Sequence, residues 1–221
     1  LMPARSFASA SVLSLQSQTN KQQTGSLTVK LKGGSFGFIN PSISFRMPQE
    51  GNFSQGIQAE YQQANGKYPY INYENAQSSD KRINSDIQSY RIEYDAAYIR
   101  NDSNAARLKL YYYDSKRGLP GSVILYNNIS AQRLNNKSFF TQFSWNKAVT
   151  NRGRLLINAK YASDDKYYLD PAYSNSAGML ENNFHLRSGY ASVAYRQQFS
   201  SSLSASVAVD YFIDQLKRSD S

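Results

Sequence analysis

Apolar and polar side chains alternate with a period of two along most of the chain. In the clearest run, Leu203, Ala205, Val207, Val209, Tyr211 and Ile213 alternate with Ser204, Ser206, Ala208, Asp210 and Asp214. Successive side chains of a β-strand point to opposite faces, so each such run predicts a strand with one apolar and one polar face. The pattern predicts about nine strands and no amphipathic helix. The chain is therefore predicted to be all-β and antiparallel.

The connections between these runs alternate in length. After a first tight turn at Gly33-Gly34-Ser35, short connections lie at residues 48–51, 101–104, 151–153 and 200–202, and long ones at 65–82, 115–137 and 163–182. Such long loops are uncommon in compact soluble domains, whereas outer-membrane barrels have short periplasmic turns and longer extracellular loops. The layout predicts an antiparallel transmembrane β-barrel wall in the bacterial outer membrane. A soluble β-sandwich that binds carbohydrate or protein is the competing interpretation.

Composition excludes several classes of function. The 221 residues include no Cys and one His, so disulfides, zinc knuckles, thiol nucleophiles and a Ser–His pair have no basis in the sequence. We predict that the protein is not an enzyme, an outer-membrane hydrolase being the enzymatic alternative. The net charge of +9 comes from basic residues spread singly along the strands, without the runs typical of nucleic-acid binding. Nucleic acid is not a predicted partner.

Basic and aromatic side chains suggest contacts with the membrane. Aromatic side chains cluster at Tyr111-Tyr112-Tyr113, Phe139-Phe140, Tyr167-Tyr168 and Tyr211-Phe212. Amphipathic rings favour the membrane–water boundary, so these residues are predicted girdle residues. Outer-membrane lipid and anionic lipopolysaccharide are predicted partners of the basic loop residues, namely Lys67, Lys81, Arg82, Lys116, Arg117, Arg133 and Lys137. A solvated loop charge is the alternative for each of them.

Metal binding has weak support in the sequence. Asp164, Asp165 and Asp170 offer oxygen ligands for calcium, but their spacing lacks the regularity and the glycine of an EF-hand loop. Asp170-Pro171 is also a turn-initiating pair. His185 has no carboxylate or second histidine at ligand spacing and is predicted to be a bystander. No cofactor is predicted, and calcium in the extracellular loops is the metal considered.

Residues 111–123, which include Arg117-Gly118-Leu119-Pro120-Gly121-Ser122-Val123, resemble a stretch of TonB-dependent outer-membrane receptors. The similarity is greatest to the Bacteroidetes group described as cobalamin receptors. Residues 65–70 and 82–86, Ala159-Lys160-Tyr161 and Tyr168-Leu169-Asp170-Pro171 resemble that group's loops and strand ends, and residues 3–15 resemble the end of its plug domain. The position after Leu134 departs from the group, because many relatives have Trp there and this chain has Asn135.

The resemblance implies a plugged barrel of about 22 strands. Residues 1–24 would be the C-terminal end of the plug and a linker, and residues 25–221 the N-terminal part of the barrel. The chain lacks an initiator Met and ends directly after a strand-like run, so we expect it to be a segment of a longer protein.

The implied function is energy-coupled uptake of a scarce large solute, with cobalamin or a related corrinoid as the leading substrate. Siderophores, haem and glycans are alternatives within the family, and a passive porin or structural barrel is an alternative of another class. The implied partners are the TonB complex, a surface lipoprotein and the small-molecule ligand. Aromatic and Arg side chains dominate recognition surfaces, so the predicted solute contacts in the loops are Tyr68, Tyr70, Tyr73, Arg117 and Tyr126.

Overall fold

The computed structural model describes residues 24–72, 78–101, 103–121, 130–173 and 178–220. These residues form β1 (Ser26–Gly34), β2 (Phe38–Arg46), β3 (Phe53–Ala64), β4 (Pro69–Asn72), β5 (Ser78–Lys81), β6 (Ile87–Asn101), β7 (Asn104–Gly118), β8 (Arg133–Ala148), β9 (Gly153–Asp170), β10 (Leu180–Gln198) and β11 (Ser204–Asp220). Residues 1–23, which include nearly all of the predicted plug segment, lie outside the described residues.

Nine of the strands form one antiparallel sheet in the order β1-β2-β3-β6-β7-β8-β9-β10-β11. Each strand pairs with the next one along the chain, except that β4 and β5 form a separate hairpin between β3 and β6. The predicted all-β antiparallel fold is confirmed, and the arrangement is consistent with a fragment of a barrel. The described sheet is not closed, since β1 and β11 are its edges. The described residues include no helix long and apolar enough to cross a membrane.

The register places the apolar positions of all nine strands on one face, which we call the apolar face. One cross-strand row runs from β6 to β11 through Tyr98, Ala106, Trp145, Ile157, Val193 and Val209. No second sheet covers this face in the described part of the chain, and Val207, Val209 and Tyr211 are 65%, 69% and 64% exposed. A sandwich would bury these side chains, so the described residues do not form one.

The opposite face, which we call the polar face, is the more crowded one. Within the described ranges, the buried apolar side chains are all alanines of the polar face, and the buried polar side chains lie there too. Together they are Ala97, Ala105, Ala162, Ala194, Asn40, Ser89, Ser115, Asp170 and Ser192. In contrast, none of the alanines on the apolar face of β3 to β10 is buried. Crowding on one side is expected on the inner side of a curved sheet. The polar face is therefore the inner face.

The strands are longer than the sequence pattern predicted. β9 and β10 have 18 and 19 residues, whereas about 9 to 11 residues cross a bilayer. The predicted loop at 115–137 is partly strand, because β7 ends at Gly118 and β8 begins at Arg133. Likewise, β9 and β10 occupy both ends of the predicted loop at 163–182. These extensions do not continue the alternation of the apolar band. In β10, for example, Leu180, Phe184 and Leu186 point to the polar face, so hydrophobic periodicity does not reveal the full strands.

The position of the first tight turn differs from the sequence prediction. The first tight turn lies at Ser35-Phe36-Gly37, because Gly33 and Gly34 belong to β1. Phe36 and Gly37 have φ of 60° and 70°, as the central residues of a type I′ hairpin require.

Only part of the predicted girdle set lies on the apolar face. Tyr112 and Phe139 pair across β7 and β8 at the border of the apolar face. Tyr111 and Phe140 instead stack on the polar face, with ring centroids 4.9 Å apart. Adjacent residues of a strand point to opposite faces, so neighbouring rings cannot all meet lipid.

Candidate functional site

Charged side chains on the polar face form lateral ion pairs between neighbouring strands. Arg91 lies between Glu60, at 2.7 Å, and Glu93, at 3.6 Å, and Lys109 Nζ contacts Glu93 at 2.9 Å. Arg46 pairs with Asp95 at 3.1 Å. These groups are a quarter to a half exposed, so each pair contributes about 1 kcal/mol or less to stability. Around these pairs the inner face is thus charged but locally neutral.

A hydrogen-bond network joins the connections at the long-loop end of the sheet, and we call it the loop platform. Its centre is Asn84, whose backbone has a φ of 51°. The Asn84 amide donates to the carbonyls of Leu119, at 3.0 Å, and Gln132, at 2.8 Å. Its oxygen accepts from Arg133 at 3.1 Å. A single side chain therefore ties together three segments that are distant in sequence.

A bidentate ion pair holds the same platform. The Arg133 guanidinium donates to both carboxylate oxygens of Asp86, at 2.7 and 2.8 Å. This hydrogen-bonded guanidinium holds the pKa of the Asp86 carboxyl below its usual range. The Gly118 amide donates to the Asp86 carbonyl at 2.9 Å. Arg133 was a predicted lipopolysaccharide contact, and the structure places it in this internal pair instead.

The platform extends to the other loops. Gln132 donates to the Asp170 carboxylate at 2.7 Å, and that carboxylate also accepts from the Ala172 amide at 3.1 Å. Ser85 donates to the Gly66 carbonyl at 2.6 Å, and Arg82 donates to the Gly121 carbonyl. The segments at 65–70, 82–86, 117–121 and 168–171, which carry much of the family resemblance, thus meet at one end of the sheet.

The predicted solute contacts fall on this end where they are described. Tyr68 is 41% exposed and packs edge-on against Phe36, with ring centroids 6.0 Å apart. Tyr70 lies on β4, and the Arg82 guanidinium is 5.7 Å from its ring centroid. Arg117 is exposed on the polar face of β7, opposite Ile87 of β6. Tyr73 and Tyr126 lie outside the described residues.

Sequence reasoning missed two amide oxygens at this end. Asn136 Oδ1 and Asn182 Oδ1 are buried on the polar face of β8 and β10, and neither has a hydrogen-bond partner within the described ranges. An unpaired buried acceptor is costly unless water or a ligand donates to it. Because both oxygens are buried, a donor reaches them only where neighbouring side chains move aside.

The three aspartates weighed as a calcium site do not converge. Asp164 and Asp165 are neighbours in β9 and point to opposite faces, and Asp170 is engaged by Gln132. No cluster of three or more His or acidic side chains suited to a metal occurs in the part of the chain that the structure describes. Calcium elsewhere in the loops stays a prediction.

His185, a predicted bystander, has a partner that its sequence context does not show. Its Nδ1 lies 2.7 Å from Asp165 Oδ1, which faces it across β9 and β10. The two residues are far apart in sequence, and cross-strand pairing alone brings them together. The pair lies on the apolar-face side of the sheet.

Replacing Asp86 with Asn is expected to loosen the platform at neutral pH. The loss of the bidentate pair should cost about 1–2 kcal/mol locally, which corresponds to about 5- to 30-fold faster hydrogen exchange. The readout is exchange at the Gly118 and Leu119 amides, which donate to Asp86 and Gln132. Glu50→Gln, in the turn at the opposite end of the sheet, is the control.

Acid should have the same effect on the unmodified protein. The pKa of Asp86 is lowered in the folded state, so its stabilisation is complete above the unfolded pKa of about 3.9 and is lost as the pH falls through the folded value. Asp86→Asn should show no such acid-induced change at these amides. Equal exchange in the variant and the unmodified protein at pH 7 would contradict a structural role for the pair.

Comparisons with known proteins leave the family open. The sequence matches no protein-family model, and a search of curated proteins finds no match.

Proposed function

We propose that these residues form part of the wall of an outer-membrane β-barrel, with the apolar face against lipid and the polar face towards the lumen. The observation that carries the proposal is the uncovered apolar face. Nine strands about 4.8 Å apart, with an apolar band about 25 Å tall, give a surface on the order of 1,000 Å². Soluble monomers rarely expose apolar patches larger than a few hundred Å².

We infer further that the barrel is an energy-coupled receptor for a scarce large solute, most plausibly cobalamin or a related corrinoid. The strands support this because they continue past the apolar band. β10, for example, extends from Arg187 to Leu180, which adds about 25 Å at about 3.3 Å per residue. The loop platform braces this projecting wall, as a binding mouth requires. The resemblance of its segments to cobalamin receptors supports the choice of solute.

The mechanism implied by this proposal is capture at the mouth followed by work-driven release. Tyr68 and Tyr70 offer aromatic surface to a large solute, and Arg117 offers a cation. The unpaired oxygens of Asn136 and Asn182 are buried, and they would accept hydrogen bonds from amide groups such as those of corrinoids once neighbouring side chains move aside. A solute that is bound tightly outside leaves inward only if the protein changes between states of different affinity. The plug and the TonB complex would supply that change.

A passive porin is the second candidate. The ion pairs on the polar face fit a porin as well as they fit a plugged receptor. Pairs such as Glu60–Arg91 suit a water-filled channel as well as a hydrated plug. Conductance in planar bilayers separates the two functions. A plugged receptor should show no steady open channel, and a porin should conduct continuously.

Calorimetry on the complete, detergent-purified protein tests the solute. We expect binding heat with cobalamin and none with haem or a siderophore. Truncating both Tyr68 and Tyr70 to Ala should weaken binding by about tenfold or more, the usual effect of removing an aromatic anchor. Tyr98→Ala, on the exposed apolar face away from the mouth, is the matched control and should leave affinity unchanged.

The results of the calorimetry either identify the solute or exclude it. Absence of heat with cobalamin would eliminate the corrinoid, and binding of haem or a siderophore would name the alternative. Release of the protein from membranes by salt alone would contradict the barrel itself.

A further inference from the structure

Four polar side chains enclose a cavity on the apolar-face side of β10 and β11. His185 is the register partner of Lys217, and Arg187 is the partner of Gln215. The two pairs are adjacent along the strands, so their head groups lie over one patch of the sheet. Together they line a cavity of about 210 Å³. We call it the β10–β11 pocket.

The pocket has an excess of positive charge. Among the residues that the structure describes, neither Arg187 nor Lys217 takes part in a salt bridge. The nearest acid in the row is Asp165, which is hydrogen-bonded to His185. Further along the same row, Lys137 faces Asp165 and Asp114 faces Lys137, so the charges of Lys137 and Asp114 cancel and Asp165 leaves one negative charge beside the two cations of the pocket. Two cations and the Gln215 amide are left as donors for an anion.

A shallow groove leads from the pocket into the apolar face. Directly below Arg187 on the same face lie Gly189 and Ala191 of β10. Gly189 is flanked in register by Tyr161 of β9 and Ile213 of β11, and Ala191 by Ala159 of β9 and Tyr211 of β11. Ile213 leans towards Gly189, since its Cγ2 lies 3.1 Å from where a Cβ of Gly189 would be. Gly189, Ala191 and Ala159 therefore make the apolar surface low beside the pocket, and we call this strip the Gly189–Ala191 groove.

We propose that the β10–β11 pocket binds the phosphate of a membrane lipid, and that an acyl chain of that lipid lies in the Gly189–Ala191 groove. Arg187 and Lys217 donate charge-assisted hydrogen bonds to the phosphate, and Gln215 adds a neutral donor. The groove favours a lipid over a free phosphate ion, because only a lipid has an acyl chain that can lie along apolar surface. The inference rests on the proposal that the apolar face meets lipid.

The site differs from the lipid contacts that the sequence predicted. Those were basic residues of the loops, whereas Arg187 and Lys217 are strand residues at the border of the apolar band. Long basic side chains at such a border reach the headgroup layer while their stems cover apolar surface. The pocket lies between two strands that are paired with each other, so its four side chains come from the described sheet alone.

The test measures lipid binding to the complete, detergent-purified protein by native mass spectrometry. Phosphatidic acid and phosphatidylcholine with identical acyl chains are the probes, and inorganic phosphate is the competitor. We expect phosphatidic acid to bind about tenfold more tightly than phosphatidylcholine, as two charge-assisted hydrogen bonds allow. In the double variant Arg187→Gln with Lys217→Gln, this preference should fall to about twofold or less.

Two further variants keep the test specific. Arg154→Gln with Arg196→Gln removes two positive charges from a cross-strand pair of β9 and β10 on the polar face, and should leave the preference intact. Ala191→Leu fills the groove, and should weaken the binding of both lipids while the preference for phosphatidic acid over phosphatidylcholine persists.

The inference is overturned if the two lipids bind equally to the unmodified protein, or if the polar-face variant loses the preference as fully as the pocket variant. Displacement of the lipid by an equal concentration of inorganic phosphate would also overturn it, since the site would then take a free anion. Alkaline carbonate extraction separates this failure from failure of the proposed function. A protein retained in the membrane without lipid preference refutes the pocket alone, and a protein released refutes both.

Discussion

Replacing Ile57 with Arg is expected to lower the free energy of unfolding of the complete protein in lipid by about 2–4 kcal/mol. Ile57 lies in the middle of the apolar positions of β3 and is 47% exposed, with Phe45 and Tyr94 as its register partners. If the apolar face meets acyl chains, the new guanidinium loses its hydration and has no acid beside it. If the face meets water, an exposed substitution changes stability by about 0.5 kcal/mol or less.

Gln58→Arg is the matched control for this prediction. Gln58 is the next residue of β3, so it points to the polar face, where its register partner on β6 is Glu93. The same side chain should therefore be tolerated there to within about 0.5 kcal/mol. Urea titration in phospholipid vesicles gives both values. Similar losses for the two variants, or no loss for either, would contradict a lipid-facing surface.

Replacing Gly118 with Ala is expected to disrupt the loop platform while sparing the wall. A Cβ at this position would lie 2.3 Å from the Asn84 carbonyl oxygen and 2.6 Å from its carbonyl carbon. Both atoms are backbone, so relief requires the segment around Asn84 to move. That movement breaks the hydrogen bonds of Asn84 to Leu119 and Gln132 at a local cost of about 2–3 kcal/mol. Solute affinity should fall by about tenfold or more.

Gly33→Ala controls for the loss of a strand glycine. Its nearest contact would be the Phe38 carbonyl oxygen at 3.9 Å, an ordinary van der Waals distance. Tryptic cleavage after Arg82 reports opening of the platform, and urea unfolding reports the wall. Gly118→Ala should speed cleavage and leave the unfolding midpoint nearly unchanged. Unaltered cleavage would show that the contact at Asn84 does not hold the loops.

The two faces of the sheet were predictable from sequence, because a period of two is a direct consequence of strand geometry. The register places Val207 and Val209 on the apolar face and the residues between and beside them on the polar face, as the alternating pattern requires. The strand extensions were not predictable from periodicity, since beyond the apolar band the apolar residues of β10 point to the polar face and those of β9 fall on both faces. There the strands stay paired through backbone hydrogen bonds, which do not require a hydrophobic pattern in the sequence.

Much of the candidate site depends on pairings between distant residues. Arg133 and Asp86 are 47 residues apart, and His185 and Asp165 are 20 apart. Only the order and register of the strands bring such side chains together, and a single sequence does not state the register. The Asn84 conformation had one local signal. Asparagine tolerates positive φ, so an Asn between Ile83 and Ser85 marks a tight bend.

The lateral pairing of charges on the inner face has a consequence for transit. Glu60, Arg91, Glu93 and Lys109 carry two negative and two positive charges, and Arg46 and Asp95 cancel likewise. If these strands line a lumen, as proposed, the paired groups exert little long-range pull on a passing ion of either sign. Discrimination by charge would then depend on other positions of the same face, such as Arg154 and Arg196, which face each other across β9 and β10.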